Sequence, residues 1–78
     1  MLIPVVDLKL TGQNIAVLRQ RSGISVRELQ TMLGFATPQA IYKWQRGETL
    51  PTVENLVALA FILGVDIEDI LVVKCYQR

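Results

Sequence analysis

The stretch SVRELQTMLGFATPQAIYKWQRG, Ser25 to Gly47, decides the fold. It opens on Ser25 with Glu28 three residues later, the pattern in which a hydroxyl and a carboxylate satisfy each other's free backbone donors at a helix start. A helix from Val26 to Leu33 follows, with Val26, Leu29 and Leu33 on one face, and Gly34 stops it. A turn over Gly34 to Ala36 leads to Thr37-Pro38. Thr37 is the expected N-cap and Pro38 the first helical residue, where a missing N–H costs nothing. The next helix is expected from Pro38 to about Arg46. Ile41 and Trp44, three apart, mark its buried side; Gln39, Tyr42, Lys43 and Arg46 populate the rest, and Gly47 closes it.

Working outward, Met1 to Leu10 reads as a short strand or extended arm, because Val6, Leu8 and Leu10 alternate with Asp7 and Lys9. Thr11 is the expected N-cap of a first helix from Gly12 to about Arg21, with Ile15, Leu18 and Ala16 inward and Ser22-Gly23 at its end. On the other side, Thr52 caps a helix from Val53 to Leu63 whose Leu56, Leu59, Ala60 and Leu63 form a broad apolar stripe, ended by Gly64. Asp66 caps a short fifth helix, Ile67 to about Leu71, and the β-branched tail from Leu71 to Tyr76 reads as a strand. The two terminal strands invite antiparallel pairing, either within one chain or across a dimer. No repeat, linker or low-complexity segment interrupts the 78 residues, which are expected to form one domain with its core over 11–71.

Composition removes several function classes. The chain is 51% hydrophobic, mostly aliphatic, which suits a packed core rather than disorder. No apolar run reaches the roughly 18 residues of a membrane span, and the N-terminus has no basic region of a secretory leader. The single Cys75 has no internal disulfide partner and reads as a bystander thiol, so a reducing cytoplasm is the expected compartment. With no histidine, a nucleophile–base pair or a His/Cys metal set has nothing to build on, and neither catalysis, metal nor cofactor is expected. The net charge of +1 hides an asymmetry. Leu8 to Gly47 holds Lys9, Arg19, Arg21, Arg27, Lys43 and Arg46 against Glu28 alone, whereas Glu48 to Val73 holds five acids and no base. One face for phosphate and another turned away from it accounts for that split, although an ordinary solvated surface does too.

Two short helices around a tight turn, the second polar on its exposed side, make the arrangement that reads DNA: the second helix lies in the major groove with its first turn against base edges. The residues Ile15-Ala16-Val17-Leu18-Arg19, Gly23-Ile24-Ser25, Glu28-Leu29, Leu33-Gly34, Ala40 to Gly47, Leu50-Pro51, Leu56 to Ala60 and the closing LGVDIEDIL occur in that order over Thr11 to Leu71. This pattern resembles the phage Cro/repressor-like (XRE-type) helix-turn-helix family. The resemblance implies an all-α, five-helix lambda-repressor-like domain with short extended or β segments at the termini, in a prokaryotic or phage regulator.

The same resemblance assigns roles by position. Thr37, Pro38, Gln39 and Lys43 are similar to the family's base-contacting positions. Gln39 can pair with adenine through two hydrogen bonds, and Lys43 can reach guanine or a phosphate. Backbone contacts are expected from the starts of the second and third helices, from Arg46, from the loop Glu48 to Leu50 and, more weakly, from Asn14. Tyr42 suits surface packing and DNA contact equally; Trp44 reads as core. Four departures stand out: Val26 where a phosphate-binding Gln is common, Gln30 where a small residue is usual, a turn one residue longer, and Gln45 where an acid usually follows the tryptophan. Val26 shifts the expected phosphate contact to Arg27. Arg19 is expected to pair structurally, with Glu54 as a candidate. The functional expectation is a sequence-specific repressor that binds operator DNA as a homodimer; the alternative is a protein-interaction module, such as an antitoxin, whose aliphatic tail engages a protein partner.

Overall fold

Asp7 organises the meeting of the two chain ends. The structure, a computed structural model, describes residues 1–77. Strand β1 (Leu2–Val6) leads to Asp7, whose N–H donates to the Val72 carbonyl at 2.8 Å. Its carboxylate accepts from the Leu10 N–H at 2.7 Å and lies 3.2 Å from the Lys74 ammonium. The first contact makes Asp7 the N-cap of helix α1 (Leu8–Arg21). The Leu10 N–H foremost, with Lys74 adding to it, holds the Asp7 carboxyl below the usual carboxylate range.

Helix α1 therefore starts four residues before the position expected from Thr11. Thr11 lies inside the helix, fully buried, and its hydroxyl accepts the Val72 N–H at 2.9 Å instead of capping. The alternation through Leu8 and Leu10 does not extend the strand, because both leucines sit in the first turn of α1 and remain partly exposed.

Helix α2 (Val26–Leu33) has the expected reciprocal cap. The Glu28 N–H donates to Ser25 Oγ at 3.0 Å, and the Ser25 N–H donates to Glu28 Oε1 at 3.1 Å. That backbone N–H lowers the Glu28 carboxyl below its ordinary value. Gly34 ends α2 in the left-handed region at φ +74°, where a side chain would be strained.

Helix α3 (Gln39–Gln45) departs from expectation at its start. Thr37 does not cap it; Pro38 occupies the N-cap position with φ −84° and ψ 3°, with no side-chain cap. The Pro38 carbonyl accepts the Tyr42 N–H at 3.2 Å and begins the helix. Arg46 is the C-cap, one residue beyond the helix proper. Helix α4 (Val53–Leu63) has Thr52 as its cap, as expected. Helix α5 (Ile67–Ile70) is held at its start by the Asp66 N–H donating to Asp69 Oδ2 at 3.0 Å, and it stops one residue short of the expected Leu71.

Strand β2 (Val73–Gln77) returns antiparallel to β1 with Leu2 opposite Gln77, Pro4 opposite Cys75 and Val6 opposite Val73. The termini thus pair within the chain. The core is Ile15, Leu29, Ile41, Trp44, Leu56, Leu59, Leu63 and Ile70, so each of the five helices contributes at least one buried side chain. Leu18, Val26, Leu33 and Ala60 pack around it half-buried. Burying aliphatic side chains at about 1.5–3 kcal/mol each is the main force holding α3 to the rest.

Candidate nucleic-acid interface

Helix α3 has only seven residues, too few to be stable alone, so its position depends on its neighbours. Ile41 is fully buried and Trp44 nearly so. The Phe35 ring meets Trp44 edge-on, with centroids 5.8 Å apart and planes at 69°. Gln30, the large residue in α2, donates from Nε2 to the Phe35 carbonyl at 3.2 Å and so ties the turn between α2 and α3. Behind the helix, α1 comes so close that a Cβ on Gly12 would lie 2.1 Å from the Trp44 carbonyl oxygen. Only glycine fits there.

Arg19 completes the clamp. Its Nε donates to Gln45 Oε1 at 3.0 Å, and a terminal guanidinium nitrogen donates to the Ile24 carbonyl at 2.8 Å. Its partner is therefore Gln45 on α3, not Glu54 on α4. The amide oxygen at position 45, where the resemblance led to an acid, accepts this bond without carrying a charge.

With Ile41 and Trp44 turned inward, residues 39, 42, 43 and 46 share the opposite face of α3. All four are exposed. Among the described residues, the side chains of Gln39, Tyr42 and Lys43 have no hydrogen bond or ion pair. Arg46 pairs with Glu48 across the tight turn, in an exposed setting where such a pair is weak. Thr37 is exposed and Pro38 half-buried immediately before the helix. Arg27 stands apart from this face, exposed in the first turn of α2, and forms no ion pair with any described residue.

Asn14 is already engaged. Its amide donates to the carbonyls of Asp69 at 2.7 Å and Ile70 at 2.9 Å, closing the end of α5. Conversely, Lys9, which the sequence pattern placed in an extended arm, is carried by α1 to the C-terminal end of α3. It lies in the first turn of α1 with its backbone against Gly47, the residue after Arg46. Gly47 has φ +77°, and a Cβ there would fall 2.7 Å from Lys9 Cα, so position 47 requires glycine twice over. Recognising Asp7 as the helix cap is the signal that would have placed Lys9. No group of three potential metal-ligating side chains occurs among the described residues.

This geometry matches known proteins. A helix-turn-helix family model matches residues 15–70, from the first core residue of α1 to the end of α5. An uncharacterised HTH-type transcriptional regulator of Sinorhizobium fredii, y4dJ, is 40% identical over 57 residues, covering 73% of each chain. Among solved structures, the restriction-modification controller protein C.AhdI of Aeromonas hydrophila is similar at a TM-score of 0.73 and 25% identity, over 82% of this chain and 96% of that one. The DNA-binding domain of BldD is similar at 0.71 and 22% identity, over 85% and 94%, a likeness of fold.

Proposed function

The chain belongs to the helix-turn-helix family of XRE-type DNA-binding transcriptional regulators, and on that premise we propose that it is a repressor that occupies an operator with α3 in the major groove. The observation that carries this reading is the two-sided character of α3. Its inner face is clamped by Gly12, Arg19 and Phe35, and its outer face presents Gln39, Tyr42 and Lys43 without partners among the described residues. A rigid helix with uncommitted polar side chains loses little entropy when those side chains meet base edges.

In this reading Gln39 hydrogen-bonds adenine in a bidentate manner, Lys43 reaches guanine or a phosphate, and Thr37 and Pro38 lie against the adjacent bases. Tyr42 stacks on sugar or a thymine methyl. Arg27, Arg46 and Lys9 hold phosphates. A single module with so few base contacts discriminates poorly, so the functional unit is a homodimer on an inverted repeat with half-sites about one helical turn apart. In this reading the domain acts in the cytoplasm by binding, without a catalytic step. No helix among the described residues is long and apolar enough to cross a membrane.

Selection from a randomised duplex pool, with affinity followed against salt, tests the reading. A two-fold symmetric site is expected, weakened by about 1–3 kcal/mol in Gln39→Ala. Arg27→Ala should instead weaken all sequences alike and lower the salt slope by about one. A shallow response with no enriched motif would favour a second reading, a protein-interaction module such as an antitoxin. One observation speaks for it: Phe61 is 88% exposed beside Met32 at 54%, and with Ala58 and Ile62 they line an open apolar groove between α2 and α4.

A further inference from the structure

The two edges of the terminal hairpin are not equivalent. In an antiparallel ladder, directly opposed residues alternate between pairs that exchange hydrogen bonds and pairs whose backbone groups point away from each other. The Asp7 N–H donates to the Val72 carbonyl at 2.8 Å, so that pair faces inward, and by alternation Val5–Lys74 and Ile3–Tyr76 do too. The backbone groups of Leu2, Pro4 and Val6 therefore point out from β1, and those of Val73, Cys75 and Gln77 point out from β2. Pro4 has no N–H, which fits its outward position and breaks the donor row of the β1 edge at its centre. The β2 edge has no such break.

Strand β2 is also exposed at every position. Natural proteins guard such an edge with proline or with free lysines. Here the only charged residue described in the strand, Lys74, is drawn back onto Asp7 at 3.2 Å. Val73 and Tyr76 stand about half exposed beside it. A two-stranded ribbon is itself marginal and gains from further strands.

We propose that two copies of this chain join through the β2 edge, antiparallel and centred on Cys75, to form a continuous four-stranded sheet across the dimer. This rests on the reading of the protein as a dimeric regulator and names its interface. Self-pairing about a two-fold axis perpendicular to the sheet keeps equivalent faces together. Centring on Cys75 uses the whole described strand: Cys75 meets the partner's Cys75, Val73 meets the partner's Gln77, and all the outward donors and acceptors of residues 73, 75 and 77 are satisfied. It sets Lys74 opposite the partner's Tyr76. Centring on Lys74 would oppose two lysines directly, which is unfavourable.

Cys75→Pro and Cys75→Ser test the interface by sedimentation. The proline removes the outward N–H at position 75 and leaves the inward bonds of Lys74 and Tyr76 to β1 intact, whereas the serine keeps the donor. The wild type and Cys75→Ser should dimerise alike, and Cys75→Pro should dissociate at least tenfold more readily while keeping a helical circular-dichroism spectrum. Should the proline variant fail to fold, treatment of the wild type with a short bismaleimide decides. Opposed Cα atoms at about 5.5 Å put both thiols side by side on one face of the sheet, within the span of the crosslinker, so a covalent dimer should form at concentrations where the noncovalent one is populated. A dimer that neither the proline nor the crosslinker affects overturns the proposal and leaves the dimeric operator reading standing. A monomer that selects an asymmetric site overturns both.

Discussion

Replacing Gly12 with alanine tests how helix α3 is held. The new Cβ would lie 2.1 Å from the Trp44 carbonyl oxygen and 2.9 Å from that of Gln45, where ordinary contact begins at 3.4 Å, a shortfall of 1.3 Å at the nearer atom. Both neighbours are backbone, so no flexible side chain can swing away. Overpacking of this kind costs about 1–3 kcal/mol, and rigid neighbours place it at the upper end. Alanine's better helix propensity returns about 1 kcal/mol. The net loss is about 2 kcal/mol, which for a domain of this size is a fall of roughly 8–16 °C in Tm. Urea and thermal unfolding followed by circular dichroism measure it, with Gln20→Ala, an exposed change in the same helix, expected within about 0.5 kcal/mol of wild type. A Gly12→Ala protein as stable as the wild type would refute the argument that close backbone approach of α1 fixes α3.

Three further perturbations address other joints. Thr11→Val leaves the Val72 N–H without its 2.9 Å acceptor, and should cost about 1–3 kcal/mol in urea unfolding, with faster exchange of the Val72 amide. Gln45→Glu gives the Arg19 guanidinium a charged acceptor in place of an amide at 3.0 Å; it should stabilise by about 0.5–1 kcal/mol, a gain that disappears in an Arg19→Met background. Acid should destabilise the protein through Asp7 and Glu28, whose carboxyls are held below the ordinary range chiefly by the N–H groups of Leu10 and Ser25. A carboxyl with a lower pKa when folded contributes stability above the ordinary range and loses it as pH falls through that range towards the depressed value. Urea stability should therefore be level from neutrality to about pH 5 and decline below it, and the decline should be shallower in Asp7→Asn/Glu28→Gln; equal slopes would contradict this.

Local patterns made most of the fold legible. The Ser25–Glu28 cap, the Thr52 cap and the glycines at 34 and 64 act within a few residues of the ends they define, and the structure places them as read. The buried pair Ile41 and Trp44 followed from helical spacing in the same way. What escaped depends on distant partners. Arg19 meets Gln45 across 26 residues, Asn14 meets Asp69 across 55, and Thr11 meets Val72 across 61. Thr11 and Asp7 are both good caps by composition, and only the return of β2 decides that Thr11 is consumed as an acceptor inside the helix. Gly12 looked like an ordinary early helical residue because its reason lies in α3. In the candidate site, the outward face of α3 was readable from periodicity. The place of Lys9 beside Gly47 was not, since it depends on where α1 begins.

The most direct test of the central claim, that α3 reads bases from the major groove, is a change of specificity at Gln39. The duplex selection is run in parallel on the wild type and on Gln39→Arg, and the enriched motifs are compared position by position. Glutamine favours adenine and arginine favours guanine in the major groove. One base pair in each symmetric half-site should change from A·T to G·C while the remaining positions stay as they were. Identical motifs from the two proteins would contradict this and place Gln39, and with it the first turn of α3, away from the bases.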